Sequence, residues 1–427
     1  MRYPLWRWRG WMILWLGVVL RSAILAADVV APPPAGESSE PNGDWQSELK
    51  SSGWQPFANL TAELWGNARG GIRRGMTHDE LLNAGTEADL QKLAGWEGGA
   101  LRLSFEWAQS THPNHNTGAL NPPTNIDASD QIRVYNLYWR QKLCDDQLTL
   151  KIGQIGADDD FAQTPGSGLF LNPGLTGPPI LYNQTLANGD PAVPHFPLDA
   201  PGIFARLDPK NCPAYAQLAL YLTDAGPDAS NNHGFDWHTE NGVMLAGESG
   251  VNYHIAALPG TVAAGAFYMN GQFTNANTGA PQRGIYGVYG FINQTFLQSA
   301  ATKDTDAQPV LAGYLLGGCA GPDKCVGPDC DCGGGVTWFG PLPGRPQDSA
   351  GASVLYTGFS PDYTRSAFNP NGPGVITAGE TVLEFTYQAA LTPWFILQPD
   401  AQIVFNPANA GTRSTAAAVG LRATLSF

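Results

Sequence analysis

The sequence predicts an all-β protein: a transmembrane antiparallel β-barrel of the outer-membrane type, with roughly 16 strands, an even number as closed bacterial barrels require. Three observations predict it. The last stretch, Val419 to Phe427, alternates strictly: Val419, Leu421, Ala423, Leu425 and Phe427 share one face, and Gly420, Arg422, Thr424 and Ser426 share the other. Successive side chains of a strand point to opposite faces, so this strand has one apolar and one polar side. It finishes on Phe427, an aromatic of the apolar face, as the closing strands of outer-membrane barrels do, with apolar residues toward lipid and polar residues toward a wet lumen. Finally, the connections between candidate strands alternate short and long through most of the chain, as periplasmic turns and outer loops do.

Taken in order, residues 1–27 read as a secretory signal, with Arg2, Arg7 and Arg9 in a basic leader, an apolar run from Trp11 to Leu20, and a cleavage site at Leu25-Ala26-Ala27. The run is too short to span a membrane, and Arg21 interrupts it; an uncleaved anchor helix is the alternative. Residues 28–53 form a periplasmic leader rich in Pro and Ser, with a short helix over Asp44 to Lys50 that sets Trp45 and Leu49 one turn apart. Residues 54–427 form the barrel. Leu60, Ala62 and Leu64 alternate with Thr61 and Glu63, and Leu148, Leu150 and Ile152 with Thr149 and Lys151. Residues 86–95 are a weaker strand. Further strands fall at 100–108, 132–142, 202–208, 215–223, 243–253, 261–273, 284–296, 310–317, 334–339 and 349–359. The clearest pair is Val382 to Leu391 and Trp394 to Phe405, each with one apolar and one polar face. With the C-terminus on the periplasmic side, turns fall at 95–98, 144–147, 209–212, 255–260, 297–306, 341–348 and Thr392-Pro393. Outward connections fall at 66–85, 110–130, 156–200, 225–241, 318–333 and 360–380.

Composition narrows the partners. Charged residues make up 14% of the chain, beside 13 Trp, 18 Phe, 14 Tyr and 51 Gly, whereas a soluble domain carries roughly 25% charge. This suits a lipid-facing barrel with aromatic girdles, though a large soluble all-β protein shares it. After the signal, no run of about 18 apolar residues offers a spanning helix. The net charge of −14 argues against nucleic acid or an anionic membrane surface as partner; in a channel it favours cations or neutral polar solutes over anions.

A set of short phrases then resembles one family throughout the mature chain. They are Gly66-Asn67 with Gly70-Gly71-Ile72-Arg73-Arg74-Gly75; Leu93-Ala94-Gly95-Trp96 with Gly98-Gly99; and Leu148 to Gln154 with Ala157-Asp158-Asp159-Asp160-Phe161. Next come Leu198-Asp199-Ala200-Pro201-Gly202, Leu258-Pro259-Gly260-Thr261, Pro343-Gly344-Arg345-Pro346 and Leu391-Thr392-Pro393-Trp394, running on to Phe405-Asn406-Pro407. The chain resembles the carbohydrate-selective porins of the OprB type. The resemblance implies a 16-stranded porin barrel passing mono- or small oligosaccharides by diffusion, without a cofactor or energy coupling. The departures are the Pro-rich leader and a Cys-rich segment.

A sugar channel needs aromatic faces that stack on a pyranose, and charged or amide groups that exchange hydrogen bonds with hydroxyls. The resemblance to porins implies that the long stretch Gly156 to Ala200 folds inward and narrows the lumen; its Phe161, Leu169, Phe170, Leu171, Ile180, Leu181 and Tyr182 call for packing partners, and a disordered surface loop is the alternative. Donors are expected from Arg73, Arg74, Arg133 and Lys151, and acceptors from Asp158, Asp159 and Asp160, with Phe161 beside them. A solvated arginine pair and a turn cluster or calcium site are the respective alternatives. Trp107, Tyr138 and Trp139 line either the lumen or a lipid-facing girdle. In an exported chain disulfides are the default, so Cys319, Cys325, Cys330 and Cys332 in one outer loop are bridge candidates, as are Cys144 and Cys212 on neighbouring turns. His112 and His115 are the one close His pair. The barrel-assembly machinery is expected to read Phe427, and outer-membrane lipid to contact the apolar faces. The rivals are a barrel-type hydrolase, needing a Ser/His or Asp/His constellation, and a secreted soluble carbohydrate-binding β-protein.

Overall fold

A computed structural model describes residues 44–178, 181, 192–275, 277–299, 308–323, 325–365, 379–409 and 413–427. The expected signal and most of the leader lie outside these residues. Leading into the barrel is a helix, Asp44–Ser52. The first half of the barrel comprises β1 (Trp54–Gly71), β2 (Gly75–Asp89), β3 (Gly99–Ser110), β4 (Gln131–Leu143), β5 (Leu148–Ile155), β6 (Ala200–Leu207), β7 (Ala214–Leu222) and β8 (Val243–Ile255). The second comprises β9 (Leu258–Thr274), β10 (Pro281–Gln298), β11 (Pro309–Gly321), β12 (Pro328–Phe339), β13 (Ser349–Phe359), β14 (Glu380–Thr392), β15 (Phe395–Phe405) and β16 (Ser414–Ser426). Each strand pairs with its sequence neighbours, and β1 pairs antiparallel with β16, closing the sheet with no free edge. Closure lets every strand satisfy its backbone groups inside hydrocarbon. Phe427 completes the seam, donating its N–H to the Ala58 carbonyl at 2.9 Å.

The alternation expected of the last strand is the one observed. Val419 and Leu421 are exposed on the outside, while Arg422 points inward with its side chain 13% exposed. Leu64, Ile203, Leu218, Leu315, Val354 and Phe385 extend the outward apolar band around the wall. Trp54, Trp96, Trp338 and Trp394 are exposed at the end carrying the short turns, where an aromatic girdle belongs. No helix among the described residues is long and apolar enough to cross a membrane; the chain crosses with strands.

Two stretches depart from expectation. Residues 75–89 form a full strand, with a short helix at Leu90–Ala94, where a loop to residue 85 and a strand over 86–95 were expected. The polar His78 and Glu80 stand on the outward face of β2, so its alternation is hidden. The β1–β2 connection is therefore a tight turn at 72–74, reached through Gly70 at φ 65. A Cβ there would also sit 2.0 Å from the Thr415 carbonyl, so the position needs glycine. The second departure is the 318–333 connection, which shrinks to 322–327 because β11 and β12 continue outward through Gly317, Gly318, Cys319 and Cys330.

Candidate functional site

Inward-facing members of the strands place a row of cations on one wall. The Arg102 guanidinium (β3) lies over the Phe57 ring (β1), 4.4 Å from its centroid. Arg140 (β4) donates to Glu87 Oε1 (β2) at 2.6 Å. Lys151 (β5) donates to Asp160 Oδ1 at 2.7 Å, with its Nζ 5.4 Å from the Tyr138 ring and 5.2 Å from that of Phe204. Arg206 (β6) lies 4.0 Å over the Tyr215 ring (β7) and donates to Asp208 Oδ2 at 2.6 Å and Gln217 Oε1 at 2.9 Å. Rings and carboxylates hold these long side chains in single orientations, so less freedom is lost when a solute hydrogen-bonds to them. The side chains of Arg140 and Arg206 remain 29% and 34% exposed, against 14% for Lys151.

The loop over 156–199 begins directly above this wall. Asp160 joins Lys151, and its carbonyl accepts from Gln217 Nε2 at 2.5 Å. Asp158 accepts the Phe196 N–H at 2.9 Å, and Asn136 Nδ2 bridges to Asp159 Oδ2 at 3.4 Å and Asp199 Oδ2 at 2.6 Å. Burial, and next the neighbouring Asp159, push the Asp158 carboxyl up to about 7. Phe161 is buried edge-on against Phe204 and Tyr221, so it packs the loop and offers no face to a solute.

The loop then follows the opposite wall. The Ala162 N–H donates to Glu248 Oε2 (β8) at 2.8 Å, and the Gly166 N–H to Asn293 Oδ1 (β10) at 3.0 Å. Thr337 (β12) donates to the Gly166 carbonyl at 3.1 Å, and Gln398 (β15) to the Leu169 carbonyl at 2.8 Å. The inward fold expected of this loop is thus observed for its described residues. A second loop, residues 111–130 between β3 and β4, also enters the lumen: Gln402 donates to the Pro123 carbonyl at 2.7 Å and Arg422 to Asn125 Oδ1 at 2.6 Å. Glu248, Glu384, Asp400 and Gln402 are buried beneath these loops, whereas Asn59, Asn83, Glu87, Arg102, Arg140 and Arg206 keep solvent exposure. These exposed inward residues of β1–β6 lie toward the end that carries the short turns.

Of the expected donors, Lys151 belongs to the inward row of cations and the others stand elsewhere. Arg73 and Arg74 are exposed on the β1–β2 turn at the outer mouth, where Arg73 Nε donates to Asn116 Oδ1 at 2.8 Å. Arg133 is buried, donating to the Pro197 carbonyl at 2.9 Å and to Asp228 Oδ1 at 3.0 Å; it ties two outer loops together. Trp107 faces outward from β3 and is 36% exposed, so the girdle alternative holds for it. Trp139 is also outward, 5.6 Å from Trp96, while Tyr138 points inward beside Lys151. Arg102, Arg140 and Arg206 were missed, yet each is the polar member of an alternating strand, as in Leu101-Arg102-Leu103 and Ala205-Arg206-Leu207.

No disulfide joins any of the described cysteines. The expected single Cys-rich loop is a hairpin end: Cys319 faces Cys330 directly across the β11–β12 ladder, Cys332 follows on the same face, and Cys325 is buried in the connection. No group of three or more His, Cys, Asp or Glu among the described residues is arranged to hold a metal ion. A Ser/His/Asp cluster does occur at the mouth: Ser110 Oγ stands 3.3 Å from His112 Nδ1, which lies 2.6 Å from Asp127 Oδ1. Both partners approach the same ring nitrogen, and Ser110 donates to Asp79 at 2.5 Å and Asp127 at 2.8 Å. A nucleophile–base–orienter relay needs the two ring nitrogens divided between serine and carboxylate, so this cluster is not one.

A closed barrel of sixteen antiparallel strands, its polar lumen narrowed by infolded loops, defines an outer-membrane diffusion channel of the porin class. The profile of the carbohydrate-selective porin OprB family matches residues 73–427, and the chain belongs to that family. It is a sugar-selective outer-membrane porin. The fold is similar to that of Pseudomonas putida OprB at high pH, at TM-score 0.79 and 18% identity, covering 92% of this chain and 99% of that one. The low-pH form of the same protein aligns over the same shares at TM-score 0.56 and 15% identity. No curated protein matches the chain.

Proposed function

We propose that sugars descend the β1–β6 side of the lumen in contact with Arg102, Arg140 and Arg206, with Lys151 and Asp158 to Asp160 forming the rim above them. The observation that carries this reading is the row of inward cations on β3–β6, held on rings and carboxylates and keeping solvent exposure. Each guanidinium offers several fixed N–H donors to vicinal hydroxyls, and Glu87 and Asp159 accept from them. The carboxylate excess of the chain, net charge −14, disfavours anionic solutes. Transport is passive and non-enzymatic. An export signal at residues 1–27, lipid around the outward apolar band, and recognition of Phe427 by the assembly machinery complete the reading; the outward placement of Phe427 and the girdle tryptophans supports the last two.

Planar-bilayer conductance with added glucose tests it. Glucose is expected to reduce the wild-type current, and Arg102→Ala or Arg206→Ala to weaken that block roughly 10-fold, the scale of one hydrogen bond to a charged group. Trp107→Ala leaves block unchanged. A wild-type channel indifferent to glucose, or arginine variants blocked as well as wild type, refutes the assignment.

A further inference from the structure

The two infolded loops are fastened to one strand by the same device. Glu380 and Glu384 stand four residues apart on β14, both inward and both fully buried. Glu380 accepts the backbone N–H groups of Leu120 at 2.7 Å and Asn121 at 2.9 Å, the Asn121 amide at 2.9 Å, and the Ala408 N–H at 2.6 Å. Glu384 accepts the N–H groups of Leu171 at 2.6 Å and Asn172 at 3.2 Å. A carboxyl group offers two oxygens as acceptors, so it can take two successive backbone N–H groups at once. The loops are also tied to each other: Asn172 Nδ2 donates to the carbonyls of Asn121 at 3.3 Å and Pro122 at 3.1 Å, and to Gln402 Oε1 at 3.2 Å.

We infer that Glu380 and Glu384 are positioning residues for transport: they latch both loops to the β14–β15 wall as one unit and thereby keep the opposite, arginine-lined passage clear. Neither carboxylate touches the solute. Each acts through the loop it holds. The consequence for sugar rests on the pathway proposed above; the latch itself does not. With Glu384 removed, the segment around Leu171 and Asn172 keeps its bond from Gln398 to Leu169 but loses its anchor, and it visits the passage on the β1–β6 side.

Single-channel recording in potassium chloride, without sugar, tests the latch independently of the pathway. Leaving the buried N–H groups of Leu171 and Asn172 without an acceptor raises the released fraction of the loop roughly 10- to 100-fold. Glu384→Ala is therefore expected to turn a quiet open level into flicker among sub-levels, with Glu384→Gln intermediate because its amide keeps one acceptor oxygen. A heat-modifiability gel verifies that the barrel is closed. Should Glu384→Ala fail to insert, Glu380→Gln/Glu384→Gln takes its place. A closed, inserted variant with wild-type conductance and wild-type open-level noise overturns the proposal. Flicker in a channel that glucose does not block retains the latch and refutes the pathway instead.

Discussion

Arg422→Ala is the most direct test of how the barrel closes. Arg422 stands opposite Glu63 across the β1–β16 seam, and its Nε donates to Glu63 Oε1. The Glu63 side chain is 0% exposed. Trp65 Nε1 also donates to it at 2.8 Å, and the far side of the guanidinium holds Asn125 of the inner loop at 2.6 Å. Removing the arginine leaves a buried carboxylate with one indole donor. Breaking a buried pair from one side costs ~3–5 kcal/mol. The retained indole bond places this case near the lower end, about 3 kcal/mol, or roughly a hundredfold in the folding equilibrium. Urea unfolding of vesicle-refolded protein, followed by tryptophan fluorescence, measures it, with Trp65 as a reporter buried at the seam. The double variant Glu63→Ala/Arg422→Ala is expected to recover part of the loss, because it removes the stranded charge. A loss under about 0.5 kcal/mol, the range of exposed ion pairs, or a double-mutant cycle with no coupling would refute the reasoning.

Two further expectations follow from loop and rim geometry. The Asp158 carboxyl, raised to about 7, gains its charge as pH rises through that value. Cation selectivity from reversal potentials should therefore climb between pH 6 and 8 and stay flat in Asp158→Asn; a flat wild-type curve counts against the buried placement of Asp158. The sign for stability is opposite: the folded chain holds this proton more tightly than the unfolded one, so the contribution of Asp158 to stability falls as pH rises from about 4 to about 7. Cys319 and Cys330 face each other in register, so mild diamide oxidation should bridge them, seen as a linked peptide by non-reducing mass spectrometry. Both thiols alkylating freely after oxidation would place the β11–β12 register in error.

Much of the barrel was legible because lipid on one side and a wet lumen on the other impose a period of two. That rule gave β14, β15 and β16 almost residue by residue. It failed at β2, where His78 and Glu80 sit on the outward face. It also held the answer for Trp107, whose strand alternates Leu101, Leu103, Phe105 and Trp107 with Arg102, Ser104 and Glu106; the polar partners mark the inner face, and with it Arg102. Arg133 misled because an inward arginine can serve a loop as readily as a solute, and Asp228 lies 95 residues away in sequence. The second infolded loop was not legible at all. Residues 111–130 carry little apolar content, and what holds them is Glu380, some 260 residues distant from Leu120.

Because Glu380 and Glu384 grip main-chain amides of Leu120, Asn121, Leu171 and Asn172, with the side chains of Asn121 and Asn172 adding to the hold, the anchorage is largely blind to what Leu120 and Leu171 display, provided neither becomes proline. A lineage, or an engineer, can therefore recolour the inner faces of both loops while the bore stays where it is. Selectivity can drift in this scaffold without the chain having to learn again how to keep its channel open.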